Sequence, residues 1–309
     1  MKKLLCLTMG LGLSFTLLSC KDNKKSGDDY KFSVVAPNGA PAVCLANMDA
    51  ASDNNDTFNY IAADLIGAQF TQKEADFIIA PVCAGAKLYK AGKSNYVFGG
   101  VVTWGNIYFA SQSNISSLSD LEGKDIVLFG EGTSNYSVAE YVLSANDINA
   151  NLSAVSTAQL NQTALIQTNN IVLSAEPLIT NAKNSGKTIN TIDVQKEFKK
   201  LTGKDYAYTQ AGLFINPDTL KDHEDDVKDF ISDLKKSCDK VSSGLHATAQ
   251  NCVDLGILPN IEVAKTAIPL CNINFMNAKN SKSYVEETAN IKLSDFGGAL
   301  PVNEFYFGL

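Results

Sequence analysis

Strands alternating with helices along most of the 309 residues predict an α/β fold arranged as two lobes. Three observations carry that expectation. The run Ala75-Asp76-Phe77-Ile78-Ile79-Ala80 is almost wholly apolar and passes at once through Pro81 into a helical pattern, as a parallel strand buried on both faces does. Residues 117–141 read as a glycine-closed turn, an apolar strand (125–129), the glycine junction Gly130-Glu131-Gly132-Thr133-Ser134, and a helix. With 45% hydrophobic and 19% charged residues, the chain is long enough for more than one core.

The elements follow in order. Residues 31–36 form a strand, Pro37-Asn38-Gly39-Ala40-Pro41 a turn, and 42–50 a helix with proline near its start. A strand at 58–63, a short helix at 64–70, the strand at 75–80 and a helix at 86–91 complete a βαβ series, which implies right-handed crossovers and a sheet of mostly parallel strands. Strands at 96–102 and 107–111 flank Thr103-Trp104-Gly105-Asn106. A second series continues through helices at 136–144 and 159–168, a strand at 171–173 that runs into Ser174-Ala175-Glu176-Pro177, a helix at 194–202 and a strand at 210–215. From Thr219 to about Tyr284 the pattern is mainly helical.

A strand, a glycine turn and a helix start in succession leave backbone N–H groups at the sheet's carboxyl edge, where open α/β sheets bind ligands. Gly132, Thr133 and Ser134 are therefore candidate ligand contacts, although Thr133 and Ser134 would equally serve to cap their own helix. A dinucleotide fingerprint is not formed, because Asn135 stands where a third glycine would be needed.

Lys2 and Lys3 precede an apolar run at 4–18 that ends in Leu17-Leu18-Ser19-Cys20. This resembles a bacterial lipoprotein signal, in which residues 1–19 are removed and Cys20 carries the lipid. Residues 20–29 are polar and lack the apolar groups needed to bury surface, so they read as a tether between membrane and body.

A net charge of −7 disfavours nucleic acid as a partner. All 26 basic residues are lysine, so the planar two-pronged grip that arginine offers to sulfonates, phosphates and carboxylates is missing. Outside the signal and Cys20, the cysteines are Cys44, Cys83, Cys238, Cys252 and Cys271. Their odd number leaves at least one free thiol; Cys238 with Cys252, or Cys44 beside Cys83, are open pairings. The two histidines, His223 and His246, have no metal-ligand spacing, so neither a metal nor a cofactor is expected. No nucleophile elbow or paired-carboxylate pattern is legible, which disfavours an enzyme.

The turn at 37–41, Leu118-Ser119-Asp120-Leu121-Glu122-Gly123-Lys124, Ala175-Glu176-Pro177, and Gly298-Ala299-Leu300-Pro301 with Phe305-Tyr306 together resemble the type II periplasmic solute-binding proteins of ABC importers, in the sulfonate, nitrate and thiamine-pyrimidine-precursor branch. The resemblance implies two α/β lobes, each a mixed, mainly parallel sheet flanked by helices. Residues 30–104 and 221–309 would form lobe 1, with the helix-only tail docked on its sheet, and residues 105–220 lobe 2. It implies hinges near 108–112 and 212–216. It also implies ligand contacts at Asn38, Gly39 and Ala40; Pro81, Val82 and Cys83; Thr103 and Trp104; Gly132, Thr133 and Ser134; and Glu176. The expected partners are a small solute and a membrane permease that reads the closed form, with the protein a lipid-anchored, extracytoplasmic monomer in the cell envelope.

Trp104, the one tryptophan, is either a core residue or a stacking wall for a flat solute, with Tyr206 and Tyr208 as a second wall. Glu176 either accepts from an amino group or fixes its turn. These features favour a flat, neutral or cationic, nitrogen-bearing solute, such as a thiamine pyrimidine precursor, over a sulfonate or nitrate. The competing readings are an enzyme of that metabolism and an adhesin that uses the fold as a scaffold.

Overall fold

The computed structural model describes residues 30–51 and 56–309. The signal, Cys20 and the tether lie outside the described residues. Among the described residues no helix is long and apolar enough to cross a membrane.

Two separate sheets form. The first, of six strands, has the order β11-β4-β10-β3-β1-β2: β1 (Ser33–Pro37), β2 (Thr57–Ile61), β3 (Phe77–Pro81), β4 (Val97–Thr103), β10 (Ala211–Ile215) and β11 (Ile273–Asn277). The second, of five strands, has the order β7-β6-β8-β5-β9: β5 (Ile107–Ser111), β6 (Asp125–Phe129), β7 (Asn151–Val155), β8 (Ile171–Ala175) and β9 (Asn190–Asp193). Both sheets are mixed. In the first, β1 pairs parallel with β2 and β3, while β10 runs antiparallel to β3 and β4, and β11 antiparallel to β4. In the second, only β5 runs against its neighbours. Most strands in each sheet therefore share one direction, as the alternation of strands and helices predicts.

The apolar runs explain the layering. Side chains alternate across a strand, and in β3 Phe77 and Ile79 join the core on one face while Ile78 and Ala80 join the core on the other. The first of these cores stacks Phe77 on Phe230 at 3.8 Å and 9°; the second holds Phe70, Phe98, Phe214 and Phe305. The second sheet is likewise covered on both faces, with Phe109, Ile126 and Leu128 on one and Tyr108, Val172 and Ile179 on the other.

Several expectations shift. β10, assigned from the sequence to lobe 2 within 105–220, lies in the centre of the first sheet, between β3 and β4. A fully apolar strand carries no mark of which sheet it joins; all five of its residues are buried there. The tail is not helix-only, because β11 forms the edge of the first sheet. β11, β7 and β9 are edge strands with few buried residues, so they lack the apolar run that betrays a central strand. The expected hinges at 108–112 and 212–216 fall largely on β5 and β10, inside the sheets; the chain crosses between sheets at 104–106 and 203–210. All five described cysteines are buried free thiols. Cys44 shares a core with Cys238 and Cys252, whereas Cys83 lies on the opposite face of the first sheet.

Gly105 makes the first crossing possible. Its φ is +67°, and a Cβ there would lie 2.4 Å from Cε1 of Tyr208 on the second crossing. Only glycine fits so close a contact at that backbone angle.

Candidate functional site

A cleft of about 590 Å³ lies between the sheets, walled by both and floored by the crossing segments. On the first-sheet side the chain turns after β1 through Asn38, Gly39, Ala40 and Pro41. The Asn38 N–H donates to the Ile61 carbonyl at 2.9 Å, pinning the turn to β2. Gly39, at φ +96°, faces Pro177 closely enough that a Cβ would lie 3.7 Å from Pro177 Cδ. On the other side, β8 delivers Leu173, Ser174, Ala175 and Glu176 to the cleft, and Phe129 ends β6 at its wall. The turn Gly256-Ile257-Leu258-Pro259 closes a further side.

The floor is a polar clasp. Glu176 N–H donates to the Asn106 carbonyl (3.1 Å), and Asn106 Nδ2 donates back to the Glu176 carbonyl (3.1 Å). Gln210 Nε2 donates to Asn106 Oδ1 (2.7 Å) and Asn135 Oδ1 (3.3 Å), and the Tyr208 hydroxyl donates to Asn135 Oδ1 (2.8 Å). The two crossings, the end of β8 and the first turn of helix Ser134–Ala145 are thereby held in one frame.

Among the described residues, Glu176 is the one ionisable residue lining this cleft. It is 3% exposed, and Oε2 accepts the Thr180 N–H at 3.1 Å. Burial pushes its carboxyl above the ordinary glutamate range, and the Thr180 bond and nearby Lys183 only partly offset this. An ionised carboxylate held so deeply favours a cation or a strong N–H donor beside it.

Of the residues expected from the sequence, the structure brings Asn38, Gly39, Ala40 and Glu176 together in this cleft. Pro81, Val82, Cys83, Thr103, Trp104, Gly132, Thr133 and Ser134 do not line it. Helices Val82–Lys90 and Ser134–Ala145 begin where the lobes are shut against each other. Cys83 lies beside Ser134, and Ser137 Oγ donates to the buried Asp295. Lys292 pairs with Glu140 at 3.2 Å across the same contact. Thr133 folds back on its own turn, its hydroxyl donating to the Gly130 carbonyl.

Trp104 is buried, donates its indole N–H to the Asn274 carbonyl at 2.8 Å, and packs on Tyr206 (4.4 Å) and Tyr284 (5.2 Å). It lines a second cavity, of about 660 Å³, that shares no residue with the first; Asp193, Lys196, Lys199, Asp205 and Tyr206 are among its walls.

The cleft residues missed by sequence reasoning include Asn106, Phe129, Asn135, Ser174, Gln210 and the turn at 256–259. Phe129 directly precedes the glycine junction, and Asn106 follows the glycine of the first crossing, so their neighbours were legible. That the cleft would select them was not. Among the described residues no group of three or more His, Cys, Asp or Glu could hold a metal ion.

Residues 102–243 match the family described as NMT1/THI5 like. No curated protein matches the chain. The fold is similar to the crystal structure of an ABC transporter from Parabacteroides distasonis, at 18% identity and a TM-score of 0.77, covering 90% of this chain and 99% of that one. It is similar to the ligand-binding component of an ABC-type import system from Staphylococcus aureus, solved with zinc bound, at 13% identity and a TM-score of 0.70, covering 89% and 95%. It is also similar to the alkanesulfonate-binding protein SsuA of Xanthomonas axonopodis pv. citri bound to MOPS, at 12% identity and a TM-score of 0.65, covering 88% and 94%. The chain thus has the two-lobed α/β fold of the periplasmic binding proteins, with the stretch 102–243 similar to the NMT1/THI5-like family.

Proposed function

We propose that the protein is the extracytoplasmic solute-binding component of an ABC import system, a lipoprotein anchored through Cys20 that captures a small molecule between its lobes and presents the closed form to a membrane permease. The observation that carries this reading is the cleft of about 590 Å³ built from both sheets and floored by the two segments that, among the described residues, cross between them. A solute touching both walls changes the free energy of the closed form relative to the open one, which is what a capture device requires. The similar folds of import-system proteins support it.

The solute is a flat nitrogen heterocycle, neutral or cationic, of the kind a thiamine pyrimidine precursor represents. Supporting this is the charge of the lining: among the described residues it holds one buried carboxylate, Glu176, and no lysine. A sulfonate placed there would meet an acid with no cation in the lining to balance it, which disfavours the anion-binding alternative. Asn38, Gly39, Ala40 and Glu176 are the proposed contacts, with Phe129, 41% exposed, as the stacking surface first expected of Trp104.

Native mass spectrometry of protein purified without refolding, followed by gentle denaturation, tests the reading. Release of a small nitrogen heterocycle, unchanged on incubation, is the expected result. A released sulfonate would reassign the solute class, and turnover of the released compound would reassign the protein as an enzyme.

A further inference from the structure

Six side-chain oxygens among the described residues are sealed from solvent with no hydrogen-bond partner: Thr103 Oγ1, Ser134 Oγ, Ser174 Oγ, Thr180 Oγ1, Gln210 Oε1 and Tyr306 Oη. Buried polar atoms in folded proteins are nearly always paired, so a cluster of exceptions has a cause. Five of the six lie where the lobes meet. Thr103 ends β4 at the first crossing, Gln210 ends the second, Ser134 starts the helix whose next residue lines the cleft, and Ser174 and Thr180 flank Glu176. Only Tyr306 sits elsewhere, packed on Phe98 in the first lobe.

The orphaned atoms have a definite chemistry. Gln210 gives its Nε2 protons to Asn106 and Asn135, and the Tyr208 hydroxyl orients Asn135, so Oε1 is left as an acceptor and nothing else. Ser174 and Glu176 are two positions apart at the end of β8, hence on one face of the extended chain, and both line the cleft. Gln210 lines it too. Glu176 Oε2 accepts the Thr180 N–H at 3.1 Å. Closing the lobes over an empty cleft thus seals away, without partners, the Gln210 Oε1 acceptor and the Ser174 hydroxyl, which can accept or donate, and a slight parting of the lobes presents them to a solute.

We infer that closure is conditional on N–H donors carried by the solute. They meet Gln210 Oε1 and Ser174 Oγ as well as the Glu176 carboxylate, and the cleft thereby selects a solute with donors on two edges, such as an amidine or an amino-substituted nitrogen ring. This rests on the solute-binding reading and adds the hydrogen-bond pattern that the solute must satisfy. A site with buried acceptors rejects an analogue lacking the matching donor far more strongly than it rejects a change of size. Sealing these atoms without partners costs free energy, so they also oppose closure until the solute arrives.

The test uses the full-length protein and four one-ring probes: benzamidine, 4-aminopyrimidine, unsubstituted pyrimidine and benzenesulfonate. Calorimetry should show the two donors binding at least about tenfold more tightly than the two non-donors. Ser174→Ala should raise the melting temperature of the probe-free protein, because an orphaned hydroxyl is removed, while reducing the shift that 4-aminopyrimidine induces. Gln210→Met, which also breaks the bonds to Asn106 and Asn135, should weaken both donors at least as much. A merely structural Ser174 would lower the probe-free melting temperature and leave the induced shift intact, and that result overturns the inference. So does equal binding of pyrimidine, or the absence of binding by either donor. Tight binding of benzenesulfonate also overturns it while leaving the solute-binding reading in place.

Discussion

The two cavities flanking the crossing segments are close in volume, about 590 and 660 Å³, and opposite in chemistry. The first is lined by strand ends, glycine and proline turns and a single buried acid. The second is lined by Trp104 and Tyr206, with Lys196, Lys199, Asp193 and Asp205 around them. Trp104, Tyr206 and four charged side chains thus line one cavity, while the proposed solute site is built from backbone turns, amides, Phe129 and one carboxylate. The difference teaches that side-chain type is a poor guide to which side of a hinge a residue faces. Trp104 and Asn106 are two residues apart and belong to different cavities, because Gly105 between them takes a left-handed turn.

Trp104→Ala should break the comparison most visibly. Removing a buried indole that packs on Tyr206 and Tyr284 is expected to lower stability by about 3–5 kcal/mol in chemical denaturation, with solute affinity of the folded fraction unchanged. Weakened affinity with stability retained would return Trp104 to the solute site.

Gly105→Ala comes next. Overlap with Tyr208 and the left-handed backbone together should cost about 2–4 kcal/mol. Since the crossing borders both cavities, hydrogen exchange should rise at 104–106 and 203–210 before it rises in either sheet.

Glu176→Gln sharpens the contrast on the cleft side. Affinity for a benzamidinium probe should fall about 10- to 100-fold in calorimetry, the worth of a charge-assisted bond. The pH dependence carries a definite sign. Burial raises the Glu176 carboxyl, so its neutral form suits the empty fold; the associated stability is present below the ordinary value of 4.5 and is lost as pH rises through the higher folded value. Cation affinity should move the other way, increasing as Glu176 ionises. The groups around it are Lys183, the Tyr108 hydroxyl and the Cys271 thiol, the last two pushed up by burial and so neutral across this range. The Gln variant should flatten both trends.

The smallest effect is expected at the second cavity. Lys196 and Lys199 are exposed, and among the described residues neither pairs with a carboxylate. Replacing both with alanine should change cleft affinity by less than about twofold, since exposed charges at a distance are screened. A larger change would couple the two cavities.

What the sequence alone determined was whatever depends on local pattern. The apolar runs read at 75–80, 96–102 and 107–111 announced strands within a residue or two of their observed bounds, and glycines at 39, 105 and 123 marked turns that do take positive φ. Asn38, Gly39, Ala40 and Glu176 were legible through the family resemblance, because the turn at 37–41 and the run Ala175-Glu176-Pro177 are among the stretches that carry it. Tertiary structure decided the rest. It placed β10 in the first sheet, added the weakly apolar edges β7, β9 and β11, and shut the starts of helices Val82–Lys90 and Ser134–Ala145 against each other, so that Cys83 and Ser134 meet there. It also chose Asn106, Ser174 and Gln210, which stand 36 to 104 positions apart in the chain, as neighbours of one cleft. The physical reason is the same throughout. Periodicity and turn chemistry act over a few residues and can be read along the chain, whereas sheet membership, lobe closure and burial depend on contacts between segments far apart in sequence, which no local pattern encodes.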